Sequence, residues 1–360
     1  MIIAEGKKVS RRSTKMKKKN GNSLKYLIGI LISVFFLWLA FQKVDLKQMG
    51  EAFRKANYWY FIPATAWLFF AHWLRALRWR YFLDPIQRIG LYPLFSSLLI
   101  GYMANCFVPA HLGELLRAYV IGKREKIPGS LAFATIALER IIDVFTLLLI
   151  TAATLILKPF PAGVIIPEWV GTSGYLMFLA ASLLFGFLIL LKKKTEIALK
   201  IAHFILRPFR AGFSSKIEQM LLDFTKGLVP LKHKFDYIVV FFTSIIMWAF
   251  YGLVIYFGFL AFNFIGIYNL NAYAAIVVLI ITTISIVVPS SPGYLGTYHY
   301  LCVLSLGLYG IEKSAALSFA SIVHGISFVP IIIVGLLFAW REGVGLSKMS
   351  HRDEIQFAEK

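Results

Sequence analysis

Two sets of ionisable residues stand inside stretches that are otherwise apolar. Glu114 and Arg117 are three apart and follow an interruption of the form P-x-x-L-G, Pro109 to Gly113. On a helix they share a face and can pair. Glu139 and Asp143 are four apart, and Arg140 reaches Asp143 at three. Arg75 and Arg78 lie on one helical face with His72. A charge at bilayer depth costs at least about 2.5–3.5 kcal/mol on insertion scales, so such residues need partners or a task. Several chemistries fit. Arg75, Arg78 and Arg117 suit a headgroup phosphate, and the open N–H groups at a helix start after Gly113 would add to such a site. Glu114, Glu139 and Asp143 would balance a cationic group or exchange a proton, since close carboxylates raise each other's pKa. The alternative is structural: an ion-pair lock between helices, Glu114 as a helix-dipole residue, and arginines that snorkel from a span end.

The candidate substrate-binding residues are therefore Arg75, Arg78, Asn105, Glu114, Arg117, Glu139, Arg140 and Asp143. His111, Tyr298 and His299 join them as side chains at or beside two breaks, and His324 lies in the last span. The second break is Pro292-Gly293-Tyr-Leu-Gly296, again P-x-x-L-G. No His/Cys/Asp/Glu set has a metal-ligand spacing, and no phosphate-loop, nucleophile-elbow or zinc-protease signature is present. No metal, cofactor or catalytic residue is expected. Cys106 and Cys302 read as buried thiols.

The elements that must position these residues are apolar spans. The chain is 59% hydrophobic, with a mean hydropathy of +0.72. That composition predicts an all-α polytopic membrane protein. Full spans are expected near 24–41, 58–77, 130–157, 173–191, 237–262 and 315–340. The net charge of +20 follows membrane topology and not nucleic-acid binding, because of where the charges fall. Residues 7–25 carry nine Lys/Arg ahead of the first span. No small-residue cleavage site follows that span, so it reads as a signal anchor. Of the 38 Lys/Arg, this topology puts 31 in the cytoplasm and 6 outside, with Arg140 inside the membrane. Both termini are then cytoplasmic, in a multi-pass protein of the cell (inner) membrane.

The same map assigns the interruptions. The basic segments 75–88 and 117–126 should share one face, yet an apolar run, 91–108, lies between them. A hairpin that enters and returns satisfies both, so 91–122 is expected to be re-entrant with its apex near Asn105–Glu114. A second hairpin, 273–310, would enter from the opposite face, with Pro289–Thr297 at its turn. Opposed interrupted segments in two halves are the pattern of an inverted-repeat transporter. The remaining segments are a basic tail (1–23), a transmembrane unit (24–340) with an amphipathic stretch on the cytoplasmic leaflet (192–235), and a short tail (341–360).

These residues resemble a known family. Arg75-Ala-Leu-Arg78-Trp79, Asn105 to Pro109 and Gly113-Glu114-Leu-Leu-Arg117, Glu139-Arg140-x-x-Asp143, and Pro292-Gly293-x-x-Gly296 are together similar to the lysylphosphatidylglycerol synthase transmembrane, or flippase-like, family. The resemblance implies an integral membrane protein that moves lipids between leaflets. Familiar members add a soluble aminoacyl-transferase domain; about 20 residues follow the last span here, so synthase activity is not expected. The second motif departs from the family, with Tyr294 in place of a glycine and His299 in place of an acid. The expected function is a lipid flippase or lipid-like transporter, with a phospholipid or other lipid as substrate and a second copy of the chain as a candidate partner. A membrane-embedded enzyme or accessory subunit acting on lipid or lipid-linked glycan is the alternative. The first hairpin is expected to bind charge, and the second to shape or gate the cavity.

Overall fold

The computed structural model describes residues 31–108, 112–157, 194–206, 231–287 and 292–343, together with scattered helical positions between 172 and 193. All regular structure among them is helical. Helix α1 (Leu31–Phe41) is followed by α2 (Leu46–Lys55), whose N-terminus is capped by Asp45: its Oδ1 accepts from Lys47 N–H at 2.8 Å and Gln48 N–H at 3.3 Å. A 3₁₀ turn, Tyr58–Tyr60, leads into α3 (Phe61–Leu83). Then come α4 (Leu91–Phe107), α5 (Leu112–Glu125) and α6 (Gly129–Leu157). Pro63 and Pro93 fall in first turns, where a missing N–H removes no helical bond. Farther on are α7 (Thr195–Leu206), α8 (Lys234–Ala261), the short α9 (Phe264–Tyr268) and α10 (Ala272–Val287). A 3₁₀ turn (Pro292–Tyr294), α11 (Thr297–Gly307) and α12 (Lys313–Arg341) complete the order.

Helices α8 and α12 are long and apolar enough to cross a membrane by length and composition. Helix α6 has 29 residues but carries Glu139, Arg140 and Asp143. Several hydroxyls in these helices bond within their own helix. Thr146, Thr151 and Thr154 on α6, Ser244 on α8, and Ser321 and Ser327 on α12 each donate to the carbonyl four residues back. In an apolar medium that local bond replaces water.

Helices α3 and α8 form the most extensive pair. One core, built around Trp79, Leu83, Leu98 and Ile121, fills the space among α3, α4, α5 and α6. A second, around Met247, Phe259, Leu317 and Phe319, joins α8 to α12 and reaches α3 and α10. Close helix approach depends on a few glycines. A Cβ on Gly101 of α4 would stand 2.7 Å from the Gly113 carbonyl oxygen and 2.9 Å from Arg117 Cβ, and one on Gly113 would strike Gly101 and Asn105. Where α12 crosses α4, a Cβ on Gly335 would fall 2.7 Å from the Leu99 carbonyl oxygen. Small residues at such crossings let backbones pack without a gap.

The expected spans at 58–77, 130–157, 237–262 and 315–340 correspond to α3, α6, α8 and α12. The first is described only as α1, and the stretch at 173–191 is helical where described. Helix α3 continues past residue 77 to Leu83, which moves Arg75 and Arg78 from a span end into a helix interior. The two interrupted segments are helical pairs, α4 with α5 and α10 with α11. Pro109 and His111 lie outside the described residues, as do the tail 1–23, residues 207–230, the start of the expected second turn (288–291) and residues 344–360.

Candidate functional site

Three helices bring the charged side chains together. Helix α3 presents Arg75 and Arg78 one turn apart, α5 presents Arg117, and α6 presents Glu139, Arg140 and Asp143. Arg75 Nη1 lies 2.9 Å from Glu139 Oε1 and 2.5 Å from Asp143 Oδ2. Arg78 Nη2 donates to Asp143 Oδ1 at 2.6 Å, and its Nη1 to Ser244 Oγ on α8 at 2.8 Å. Arg117 approaches Glu139 with both terminal nitrogens, at 2.9 and 3.2 Å. That bidentate fork suits a planar guanidinium. The faces of the same group are used as well: its Cζ sits 3.7 Å from the centroid of Trp79, whose Nε1 donates to Thr135 Oγ1 at 2.9 Å.

The five inner groups, Arg75, Arg78, Arg117, Glu139 and Asp143, are buried, with Arg78 and Glu139 at 0% exposure. Removing ions from water costs several kcal/mol each, and only close, multiply bonded pairs offset it. The geometry provides such pairs, and each carboxylate accepts from two or more arginines. Arg140 differs: its side chain is 32% exposed. It stands 3.2 Å from Glu114, 3.3 Å from Glu139 and 3.6 Å from Asp143, and donates to Tyr102 OH at 3.1 Å.

Glu114 thus pairs with Arg140, and Arg117 with Glu139, in place of the Glu114–Arg117 pair suggested by their spacing. The i,i+3 contact within α5 loses to α6, which packs along α5 and offers a bidentate acceptor to Arg117. Arg75 and Arg78 do not snorkel; both are buried in the cluster. Asn105 has a different task. Its Oδ1 accepts from Gly113 N–H at 2.8 Å and closes the first break.

The second break meets the first. Its 3₁₀ turn packs on α4, and a Cβ on Gly293 would lie 3.8 Å from the Cys106 carbonyl oxygen. Cys106 is one turn along α4 from Tyr102, whose OH accepts from Arg140. Gly293 (φ +70°) and Gly296 (φ +89°) have backbones that L side chains rarely adopt, and a Cβ on Gly296 would strike the Ser33 carbonyl of α1. The surroundings are aromatic. His324 Nε2 lies 2.8 Å from the Gly293 carbonyl, and because that oxygen only accepts, Nε2 carries the hydrogen. The His324 ring stacks on Phe328, 4.2 Å between centroids, with His299 at 5.0 Å and Tyr298 at 5.1 Å.

Three contributors to the charged cluster were not singled out from the sequence, Tyr102, Ser244 and Tyr251, and Trp79 stood in a quoted motif without a role. Tyr251 OH receives Arg75 Nε at 3.4 Å and lies 3.4 Å from His72 Nδ1. In a chain with 17 tyrosines and 8 tryptophans, such residues are indistinguishable from interface belts until a guanidinium is seen beside them.

The model of the family described as the lysylphosphatidylglycerol synthase TM region matches residues 26–335. A UPF0104 membrane protein of Methanocaldococcus jannaschii is 24% identical over 87% of this chain and 94% of its own length. A second from the same organism is 28% identical over 65% of this chain and 91% of its own. A glycosyltransferase of Haloferax volcanii, AglD, is 29% identical over 33% of this chain and 19% of its own length. No solved structure gives a significant match.

Proposed function

Since the chain belongs to the lysylphosphatidylglycerol synthase TM region family, a family of membrane proteins, we propose that it moves a lipid, either a phospholipid or a lipid-linked headgroup, between the leaflets of the cell membrane. One observation carries this reading: the two backbone interruptions converge beside a buried cluster of arginines and carboxylates. Interrupted helices that meet at charged groups are how transporters build a polar site in an apolar medium. The inner groups hold α3, α5 and α6 together, while Arg140 and Glu114 form the part a headgroup meets. Asn105, Gly113, Gly293 and Gly296 shape the breaks, and Tyr298 and His299 line the second.

The finer architecture we propose is six membrane-spanning helices and two re-entrant hairpins from opposite faces, both termini being cytoplasmic. The helix contacts support two related halves. Helix α4 packs on α3 as α10 packs on α8, and α5 packs on α6 as α11 packs on α12. The last helix of each half crosses the other half's hairpin, α12 on α4 and α6 on α10, while α3 and α8 pair with each other. An inverted repeat gives this pattern, because exchanging the halves maps each contact onto another.

Purified protein in liposomes with a fluorescent lipid tests the transport reading. Outer-leaflet quenching should reach more than the outer half of the label when protein is present. Equal quenching in empty and protein-bearing vesicles, across several lipid classes, would sink it. A second reading is favoured by the segment shared with the Haloferax glycosyltransferase: the chain would serve as an accessory membrane unit in lipid-linked glycan modification. Product formation from a lipid substrate by the purified protein would favour that reading.

A further inference from the structure

Four guanidinium groups, from Arg75, Arg78, Arg117 and Arg140, face three carboxylates, from Glu114, Glu139 and Asp143. The cluster therefore carries one positive charge in excess, with Arg78 and Glu139 at 0% exposure. Among the described residues, Nε of Arg78 and Nε of Arg117 are buried without a hydrogen-bond partner. An uncompensated charge in such surroundings is costly, so the arrangement is complete only when one negative charge joins it.

We propose that the cluster is a selective site for a phosphate ester headgroup of net charge −1, and that it disfavours zwitterionic and cationic headgroups; this rests on the transport reading and narrows it. Arg140 is the entry point. It is the most exposed guanidinium of the four, stands beside the convergence of the two breaks, and is steadied by Tyr102 OH. The carboxylates explain the selectivity. Glu114, Glu139 and Asp143 each already lie against at least one arginine. An ammonium group entering the cluster would have to displace a guanidinium from one of them, whereas a phosphate oxygen meets only donors. A lone headgroup phosphodiester and a free phosphate ester share this chemistry.

The test uses the full chain in neutral detergent, with thermal unfolding and native mass spectrometry as readouts. The probes are phosphatidylglycerol, phosphatidylcholine and soluble glycerophosphoglycerol. The chain's charge of +20 attracts anionic lipid everywhere, so the readout is the difference between the wild type and variants. The wild type should retain phosphatidylglycerol over phosphatidylcholine. Arg140→Gln should cut that preference about tenfold, the loss expected of one charge-assisted hydrogen bond, while Arg124→Gln, outside the cluster, leaves it unchanged. Glu114→Gln raises the excess to two positive charges and should strengthen the preference. Equal retention of both lipids, or an undiminished preference in Arg140→Gln, overturns the proposal. If Arg140→Gln does not fold, Glu114→Gln decides, and no gain there overturns it. Displacement of phosphatidylglycerol by glycerophosphoglycerol identifies the phosphate ester alone as sufficient. Retained lipid under competition identifies the intact lipid as the ligand. A protein with the preference but no lipid movement keeps this proposal and loses the transport reading. One that moves both lipids without preference does the reverse.

Discussion

Glu139 accepts from both terminal nitrogens of Arg117 and from Arg75, and it lies 3.3 Å from Arg140. Removing its charge leaves four arginines to two carboxylates, one of which, Glu114, is at the rim. Breaking a buried pair by neutralising one partner costs about 3–5 kcal/mol, because the cations left behind have lost their water as well. Glu139→Gln should therefore lower the thermal midpoint in detergent far more than Glu114→Gln, whose carboxylate is 20% exposed and has water in reach. Equal losses in the two variants would show that the inner tier is not the mechanical lock described above. At this scale much was legible: Glu139 and Asp143 stand out as charges in an apolar run, and Arg75, Arg78 and Arg117 were candidates although the charge map put them in cytoplasmic basic segments. Which partner each takes was not, because spacing within one helix says nothing of an approaching neighbour. Trp79 stood in a quoted motif, but its place beneath Arg117 was invisible for the same reason.

The first hairpin closes because Gly101 and Gly113 let α4 and α5 touch backbone to side chain, and because Asn105 bonds the Gly113 amide across the turn. Gly101→Ala would force a methyl to 2.7 Å from the Gly113 carbonyl oxygen and 2.9 Å from Arg117 Cβ. Over-packing of this kind costs about 1–3 kcal/mol, and the displaced residue is Arg117 itself. The expected result is a lowered thermal midpoint together with weaker lipid retention. Gly325→Ala on α12 is the matched control, since nothing lies within 4 Å of its Cβ position. There the helical preference of alanine should leave stability equal or raise it by about 0.5–1 kcal/mol. If both variants behave alike, the hairpin does not depend on close approach. The break itself was readable as P-x-x-L-G, whereas Gly101, its partner, sits unmarked in an apolar run.

Across the molecule, the charge pattern and the helix contacts bear on the proposed halves by independent routes. The Lys/Arg distribution sees only loops, and it requires 75–88 and 117–126 to share a face. The contacts see only packing, and they pair α4–α5 with α10–α11 and cross each hairpin with the last helix of the other half. The contacts do not report which face of the membrane a loop occupies, and the charge map gives it only as an expectation, so orientation is the property to measure. Cysteine scanning reads it directly in a background with Cys106→Ala and Cys302→Ser. Single cysteines at Arg88 and Lys123 flank the first hairpin, and one at Gly310 ends the second. An impermeant maleimide applied to intact cells should label Gly310→Cys and spare Arg88→Cys and Lys123→Cys; inside-out vesicles should reverse the result. A full crossing by α4 would instead label one of Arg88→Cys and Lys123→Cys from each side. That outcome would remove the re-entrant hairpin, and with it the inverted relation of the halves. It would leave the buried cluster intact, since Arg75, Arg117 and Glu139 are joined by packing that does not depend on the direction in which the chain enters the bilayer.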